Sequence, residues 1–318
     1  MDEPISVIVP NREGEEVLGP CLHSLSRQTL KPGEVIVVDD ASRDGSVSLV
    51  RRSYPWVRIL CLPESRGYAG ACVAGFKEAS GSWIAVLNND AVAEPGWLSE
   101  LVAAAKSEER VGAAASRVIL LHPPGIMDSA GLEVRRNGMA FLRLHGKKET
   151  EVQARELVEE VFGPAGSAAL YRRTMLEEVG FFEPDFINFY EDVDLAFRAR
   201  WRGWKCVLAH RARVIHRHSY TIKRLSLSKR YFLQHNRWRT IIRNWPLSSF
   251  LVNLPFIVGY DLASLVIAFR EGQGQAALKA RLDLLRFLPK DLEARKALLS
   301  QAVIPADEMK KWLIKKKT

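Results

Sequence analysis

Trp83-Ile84-Ala85-Val86-Leu87-Asn88-Asn89-Asp90-Ala91 is the stretch whose reading decides the fold. Its first five residues form an apolar run of strand length, as expected for a buried strand. The run stops at two amides and a carboxylate. In an open α/β sheet, ligands bind beyond the carboxyl ends of the strands. A strand that delivers such oxygens to that edge can hold a hard cation and, through it, a diphosphate. An ordinary turn uses the same residue types, so the neighbouring segments have to decide between the two.

Working outward, strands and helices alternate. Strands are expected at Ile5–Pro10, Glu34–Val38, Val57–Leu62, Trp83–Leu87 and Val111–Leu121, and helices at Val17–Gln28, Gly45–Arg52, Gly67–Ala79 and Pro95–Lys106. That alternation predicts a mostly parallel sheet with helices on both faces. Further on, Arg135–Met139 reads as a hairpin turn and Lys147–Glu160 as a mobile, charge-rich loop. Gly163–Tyr171 reads as a small-residue strand, Glu191–Trp201 as a helix, and Trp204–Ala209 and Arg213–Ile215 as edge strands.

The loop ends carry the chemistry. Asp40 closes the second strand, where a carboxylate can accept from a base imide or a ribose hydroxyl, or can cap a helix. Arg66-Gly67 offers a cation and backbone amides at a helix start, suited to a phosphate. Asp192 follows the aromatics Phe186, Phe189 and Tyr190. A partly dehydrated carboxylate has a raised proton affinity and can act as a general base; Glu191 is the next candidate. His216 and His218 end an apolar run, a weak pointer to a metal or a phosphate.

Composition sets bounds. The 318 residues are 47% hydrophobic and 26% charged, as in a globular protein. Four unpaired-looking cysteines and no evident leader predict a reduced, cytoplasmic setting. Residues 226–318 hold 17 Lys and Arg against 7 Asp and Glu, while residues 1–225 hold 29 against 30. The basic charge therefore belongs to the C-terminal segment, which points to an anionic surface there rather than to nucleic acid. Within it, Ser228–Trp245 is basic and aromatic, suited to an anionic membrane, the alternative being a solvated helix packed on the domain. Leu247–Phe269 is apolar but interrupted by Asn253, Pro255, Gly259 and Asp261, which favours a segment lying on the membrane over one crossing it.

Taken in order, PNREGEEVLGPCLHSL, VIVVDDASRDGS, ESRGYAGA, WIAVLNND, GSAALYRRTMLEEVGFFEPDF, FYEDVDLAFRARWRG and VIH resemble the motifs of the family 2 glycosyltransferases, and more narrowly bacterial rhamnosyltransferase-type members that build surface polysaccharides. The resemblance covers roughly residues 4–220. It implies an A-type glycosyltransferase fold, with a Rossmann-like central sheet and here a C-terminal helical extension. It also implies inversion at the sugar, a nucleoside-diphosphate sugar donor and a divalent metal, Mg2+ or Mn2+. By position, Pro10, Asn11, Glu13, Asp40, Arg66, Gly67, Asn88 and Asn89 would bind the nucleotide, Asp90 and His216 the metal, and Asp192 the acceptor proton. The expected organisation is a nucleotide-sugar half (1–115), an acceptor and catalytic half (116–225) and a membrane-associating segment (226–318).

The expected activity is transfer of a sugar, with rhamnose the candidate, to a lipid-linked or polysaccharide hydroxyl at the inner membrane face. The chain departs from the family at Asn89, where many members have a second acid, at Cys72-Val73, where relatives often carry asparagine, and at His218-Ser219-Tyr220, which replaces a glycine-rich turn. One rival is a nucleotidyltransferase, which needs a Gly-rich basic loop after the first strand; Asn11-Arg12-Glu13-Gly14 fits that poorly. The other is an inactive binding module, motivated by the Asn-Asn-Asp sequence.

Overall fold

A computed structural model describes residues 3–152, 158–217 and 226–314. The first half alternates as β1 (Ile5–Asn11), α1 (Glu15–Ser26), β2 (Glu34–Asp39), α2 (Ser46–Ser53), β3 (Arg58–Cys61), α3 (Gly67–Glu78) and β4 (Trp83–Leu87). β5 (Ala91–Ala93), α4 (Trp97–Ala105) and β6 (Val111–Leu120) follow. Then come β7 (Met127–Ser129), β8 (Leu132–Arg135), β9 (Ala140–Leu142), β10 (Val158–Val161), β11 (Ala168–Arg172), α5 (Arg173–Val179), α6 (Glu191–Trp201) and β12 (Lys205–His216). The chain closes with α7 (Ser226–Asn244), α8 (Leu247–Arg270), α9 (Gly274–Ser300), α10 (Ala306–Lys310) and β13 (Leu313–Ile314).

Among the described residues, the main sheet runs β10-β12-β6-β11-β4-β1-β2-β3, with β5 added to β12 and β7 to β6. β1 is parallel to β2 and β4, β2 to β3, and β12 to β6; β11 is antiparallel to both its neighbours. β1 and β4 are buried at every position, as central strands covered on both faces should be. One apolar layer packs α1 and α4 against the sheet, the other α3 and α5. A small sheet, β13-β8-β9, sits beside the C-terminal helices.

Three expectations change. The two edge strands at 204–215 are one strand, β12, held between β6 and, in succession, β10 and β5. The polar residues that seemed to divide it coincide with a register irregularity between Ala209 and Arg213, where the three residues 210–212 have no counterpart on β6 and bend the strand without ending it. The segment Lys147–Glu160 is partly built into the sheet: Lys148 bridges Ile126, Glu149 accepts from Arg213, and Val158–Glu160 belong to β10. Residues 153–157 of that loop, along with His218, Ser219, Tyr220 and Lys315–Lys317, lie outside the described residues.

The third change concerns α7. Its arginines do not face outward. Arg237, Arg239 and Arg243 are buried, pairing with Asp261, with Asp291, and with Asp194, Asp291 and Glu183 respectively. Their partners are distant in sequence, so the window around α7 reads as a basic surface helix when it is an interior one.

Asp194, on α6, is fully buried. Burial alone would raise its pKa, but Arg243 and Arg198, with a hydrogen bond from Asn244, pull it well below the carboxylate range. A depressed carboxylate adds stability above its unfolded pKa and loses that contribution as pH falls through the folded one. Asp194→Asn is expected to cost about 3 kcal/mol at pH 7, the scale of a broken buried pair. The deficit should shrink as the pH drops below about 4, where the unfolded carboxylate takes up a proton that the folded one still lacks. Denaturant midpoints at the two pH values check this.

Candidate active site

β4 ends at Leu87, and the Asn88-Asn89-Asp90 turn leads directly into β5, which pairs with β12 so that Ala91 lies opposite His216. This register brings Asp90 Oδ1 to 3.0 Å from His216 Nε2. On the other side of the ring, His216 Nδ1 lies 2.7 Å from Asp128 Oδ2, on β7. Burial would lower the His216 pKa, but hydrogen bonds to Asp128 and Asp90 and their charges overcome it and hold it at about 9. Asn88 Nδ2 lies 3.4 Å from Nε2, and Asn88 Oδ1 is buried with no hydrogen-bond partner among the described residues. Among those residues no three His, Cys, Asp or Glu side chains already surround one point. The donor set is nevertheless a carboxylate, an imidazole and an unpaired amide oxygen at one strand edge, which suits a divalent cation in place of the shared proton.

The nucleotide end is built by amides. Asn89 Nδ2 donates to Asn11 Oδ1 at 2.8 Å, and Asn11 Nδ2 to Asp39 Oδ1 at 2.9 Å, linking the ends of β4, β1 and β2. A side chain at Gly14 could not fit beside them, since a Cβ there would stand 2.2 Å from Asn11 Oδ1. Glu13 accepts from the Arg43 amide at 2.9 Å. Asp40 accepts from Arg66 N at 2.6 Å, Ser65 Oγ at 2.7 Å and Gly67 N at 3.1 Å. Three of its four acceptor positions thus shape the loop that starts α3, leaving one for a ligand.

The acidic pair enters from the other wall. Ile187, Phe189 and Tyr190 all have positive φ, immediately before α6. Such residues cost about 1–3 kcal/mol each and persist only when their surroundings hold them. The holder is Asn236 on α7, whose Nδ2 donates to the carbonyls of Phe186, Asn188 and Phe189 at 2.8–2.9 Å. From α3, Ala69 N donates to Ile187 O at 3.0 Å and Tyr68 N to Asn188 Oδ1 at 3.2 Å. Asp192 Oδ2 then accepts from Gly166 N at 2.9 Å. Burial raises the pKa of both acids. For Asp192, hydrogen bonds from Gly166 and Val193 oppose the rise, whereas the Asp192 charge pushes Glu191 further up. Glu191, with Oε2 unpartnered among the described residues, is the neutral member and Asp192 the ionisable one.

All twelve site residues expected from the sequence line one cleft of about 1240 Å³. Asp128, in the same cleft, went unnoticed; its only signal was a single acid between Met127 and Ser129 in a short buried strand. Asn236 gave no signal inside a polar helix.

Residues 6–180 match the family described as glycosyl transferase family 2, over more than half of the chain, and the chain belongs to that family and is a glycosyltransferase. The O-antigen biosynthesis protein RfbC of Myxococcus xanthus is 31% identical over 226 residues, 68% of this chain but 17% of its own length. The N-acetylglucosaminyl-diphospho-decaprenol L-rhamnosyltransferase of Mycobacterium tuberculosis is 30% identical over 224 residues, 64% of this chain and 72% of its own. Among solved structures, GalNAc-T7 with UDP, GalNAc and Mn2+ aligns with a TM-score of 0.61 at 17% identity, over 77% of this chain and 48% of that one. S. aureus TarS 1-349 with UDP-GlcNAc gives 0.58 at 17%, over 93% and 90%. At such identities the likeness carries the A-type fold alone. The family match ends before Glu191, so Asp192 and His216 stand on their geometry.

Asn236→Ala takes its amide from three carbonyls, of which that of Phe186 keeps the Asn188 amide. Amide exchange is expected to quicken across residues 187–194 and to stay unchanged in β1 and β4. Exchange mass spectrometry reads this directly, and uniform quickening would mean that α7 stabilises the whole domain instead.

Proposed function

We propose that this glycosyltransferase inverts the sugar it transfers, moving it from a nucleoside-diphosphate donor to a hydroxyl of a lipid-linked or polysaccharide acceptor. Rhamnose is the candidate sugar, and the cytoplasmic face of the membrane the site of action. The single observation that carries this is Asp192: a half-buried, hydrogen-bonded carboxylate of raised proton affinity opening on the same cleft as Asp90 and His216. Residues 1–115 would serve chiefly the donor, and residues from 116 on the acceptor.

The division of labour follows from the residues. Asp90, His216 and the free Asn88 oxygen would hold Mg2+ or Mn2+, and the ion, when bound, would offset charge on the departing diphosphate. Arg66 would supply the cation for the phosphates, since the amides of residues 66–69 are taken by Asp40, Asn188 and Ile187; Pro10, Asn11, Glu13, Asn89 and the remaining acceptor position of Asp40 face the nucleoside. As the acceptor oxygen bonds to the sugar carbon and the bond to diphosphate breaks, the hydroxyl proton passes to Asp192. Glu191, kept neutral, adds no charge against the donor. The names of GalNAc-T7 with UDP and Mn2+ and of TarS with UDP-GlcNAc support the donor class, and the mycobacterial relative's name supports a lipid diphosphate acceptor and rhamnose. Membership in a glycosyltransferase family leaves the nucleotidyltransferase reading without support.

Asp192→Asn keeps size and shape but cannot take a proton. The expected result is a fall in kcat of roughly 10²–10⁴ with donor affinity nearly unchanged; turnover within a few-fold of wild type would exclude Asp192 as the base. In the native enzyme the rate should rise with pH through a value above the ordinary carboxylate range, because only the deprotonated form acts. Asp128→Ala removes the group that orients His216. It is expected to weaken Mn2+ binding about 10–100-fold, measured by calorimetry without substrate.

A further inference from the structure

α8 is inside out for a helix facing water. Its buried stripe, Ser249, Asn253, Ile257, Ser264 and Ala268, is mostly small or polar. Its outward face carries Leu251, Val252, Phe256, Leu262, Val266 and Phe269, with Val252 70% exposed. The one charged residue between Leu247 and Phe269, Asp261, is turned inward. It accepts from Arg237 Nη2 and Trp238 Nε1 at 2.8 Å and from Arg281 Nε at 2.9 Å. A water-facing helix buries its apolar stripe; this one presents it, along a 24-residue helix whose 18-residue apolar window has a mean hydropathy of 1.8. α9 continues the surface: Leu278, Leu282, Leu285 and Leu292 form an exposed stripe at helical spacing. Lys279, Arg286 and Lys296 are exposed on the same helix, a pattern suited to the boundary between lipid headgroups and chains.

We infer that α8 and α9 together form a monotopic docking face, with α8 lying in the plane of an anionic bilayer rather than across it. This deepens the membrane-side reading proposed above and rests on it for the acceptor. Length alone would let α8 cross a bilayer, but its middle is fastened to α7 and α9 through Asp261. α7 is in turn fastened to the catalytic helix by Arg243 and Asp194. A crossing α8 would draw those buried ion pairs and the catalytic domain into the hydrocarbon. A second copy of the chain is a poorer occupant than lipid, because residues 226–318 carry a net charge of +10 and would repel their like, whereas anionic headgroups complement them.

The face also has a direction. Lys229, Phe232 and Leu233, on the first turns of α7, line the cleft. Between them, Arg230 donates to Gln273 Oε1 at 2.6 Å and pairs with Glu271, and Tyr231 OH donates to Asp283 at 2.7 Å. The corner between α8 and α9 therefore abuts the α7 wall of the cleft. Docking on α8 and α9 holds that wall, one cation among apolar side chains, at the lipid surface, where a diphosphate-linked lipid acceptor enters.

Two measurements on the full chain test this. In the first, the protein is floated with vesicles of phosphatidylglycerol and phosphatidylcholine, alongside a variant carrying Val252→Glu, Phe256→Glu and Leu262→Glu. The wild type is expected to float and the variant to stay in solution, with donor affinity equal in both. Equal flotation of the two overturns the inference, as does a wild type that ignores vesicles and forms a dimer which the variant dissolves. Loss of donor binding in the wild type would instead sink the functional reading and leave the flotation result standing. In the second, nitroxides are placed by Val252→Cys and by Val266→Cys, with exposed Cys61 replaced by Ser, and their depths read by oxygen and nickel accessibility. The positions are about 21 Å apart along the helix axis. Equal shallow depth supports the in-plane helix, and a depth difference approaching that separation overturns it.

Discussion

α6, the helix that carries Glu191 and Asp192, hangs on one buried carboxylate. A charge without water is costly unless it is paired and its remaining acceptor positions are filled. Asp194 meets that condition with Arg198 on its own helix and with Arg243 and Asn244 from α7. Arg243 passes the constraint to Asp291 on α9 and to Glu183, and Asp291 also takes Arg239 in a two-point contact at 2.9 Å on each side. Each member would be a liability alone. Together they require α6, α7 and α9 to be present at once, so the C-terminal helices are part of the catalytic unit and not an appendage that could be removed to leave it whole. The positive-φ loop before α6 is under the same control, through Asn236.

That dependence marks what could be read from the sequence. β1, β4 and α6 were legible because their signals are local: an all-apolar run, an abrupt polar stop, and acids at a helix start. Asp90 and Asp192 were legible as residues because they stand at such boundaries, and the ordered motifs supplied roles for them. The contact between Asp90 and His216 was expected from the resemblance, which gave both to one metal, and it rests on β5 pairing with β12 across more than a hundred residues, which no local window shows. Asp128 and Asn236 were missed for the same reason: each acts on a partner dozens of residues away. Arg237, Arg239 and Arg243 were visible but misdirected, since a basic helix looks the same in sequence whether its partners are lipid phosphates or distant aspartates.

The two ends of the cleft solve opposite electrostatic problems. At the strand edge, two carboxylates share one imidazole, and their charges keep a proton on a ring that burial would strip of it. If a divalent ion binds here, Asp90, His216 and Asn88 would hold it, and the charge that now retains the proton would offset the ion's own. At the start of α6 two neighbouring acids, Glu191 buried and Asp192 half-buried, stand without a paired cation. Only one can ionise readily, and the backbone amide of Gly166 selects Asp192. The small-residue segment before β11 therefore supplies more than room for a substrate: it supplies the hydrogen bond that distinguishes the two acids.

The same reasoning explains why α8 can afford so apolar a surface. The polar groups that usually keep a helix soluble have been turned inward, to Arg237, Trp238 and Arg281, where they fasten α8 to the catalytic unit. Asp261 cannot serve both as a solvated surface charge and as the anchor of two arginines. Using it as the anchor leaves the outer face without polar cover, and in water such a contiguous apolar face invites association. A bilayer removes that conflict. Rigid internal attachment and an exposed apolar stripe then become two consequences of one choice, and both place the mouth of the cleft beside lipid.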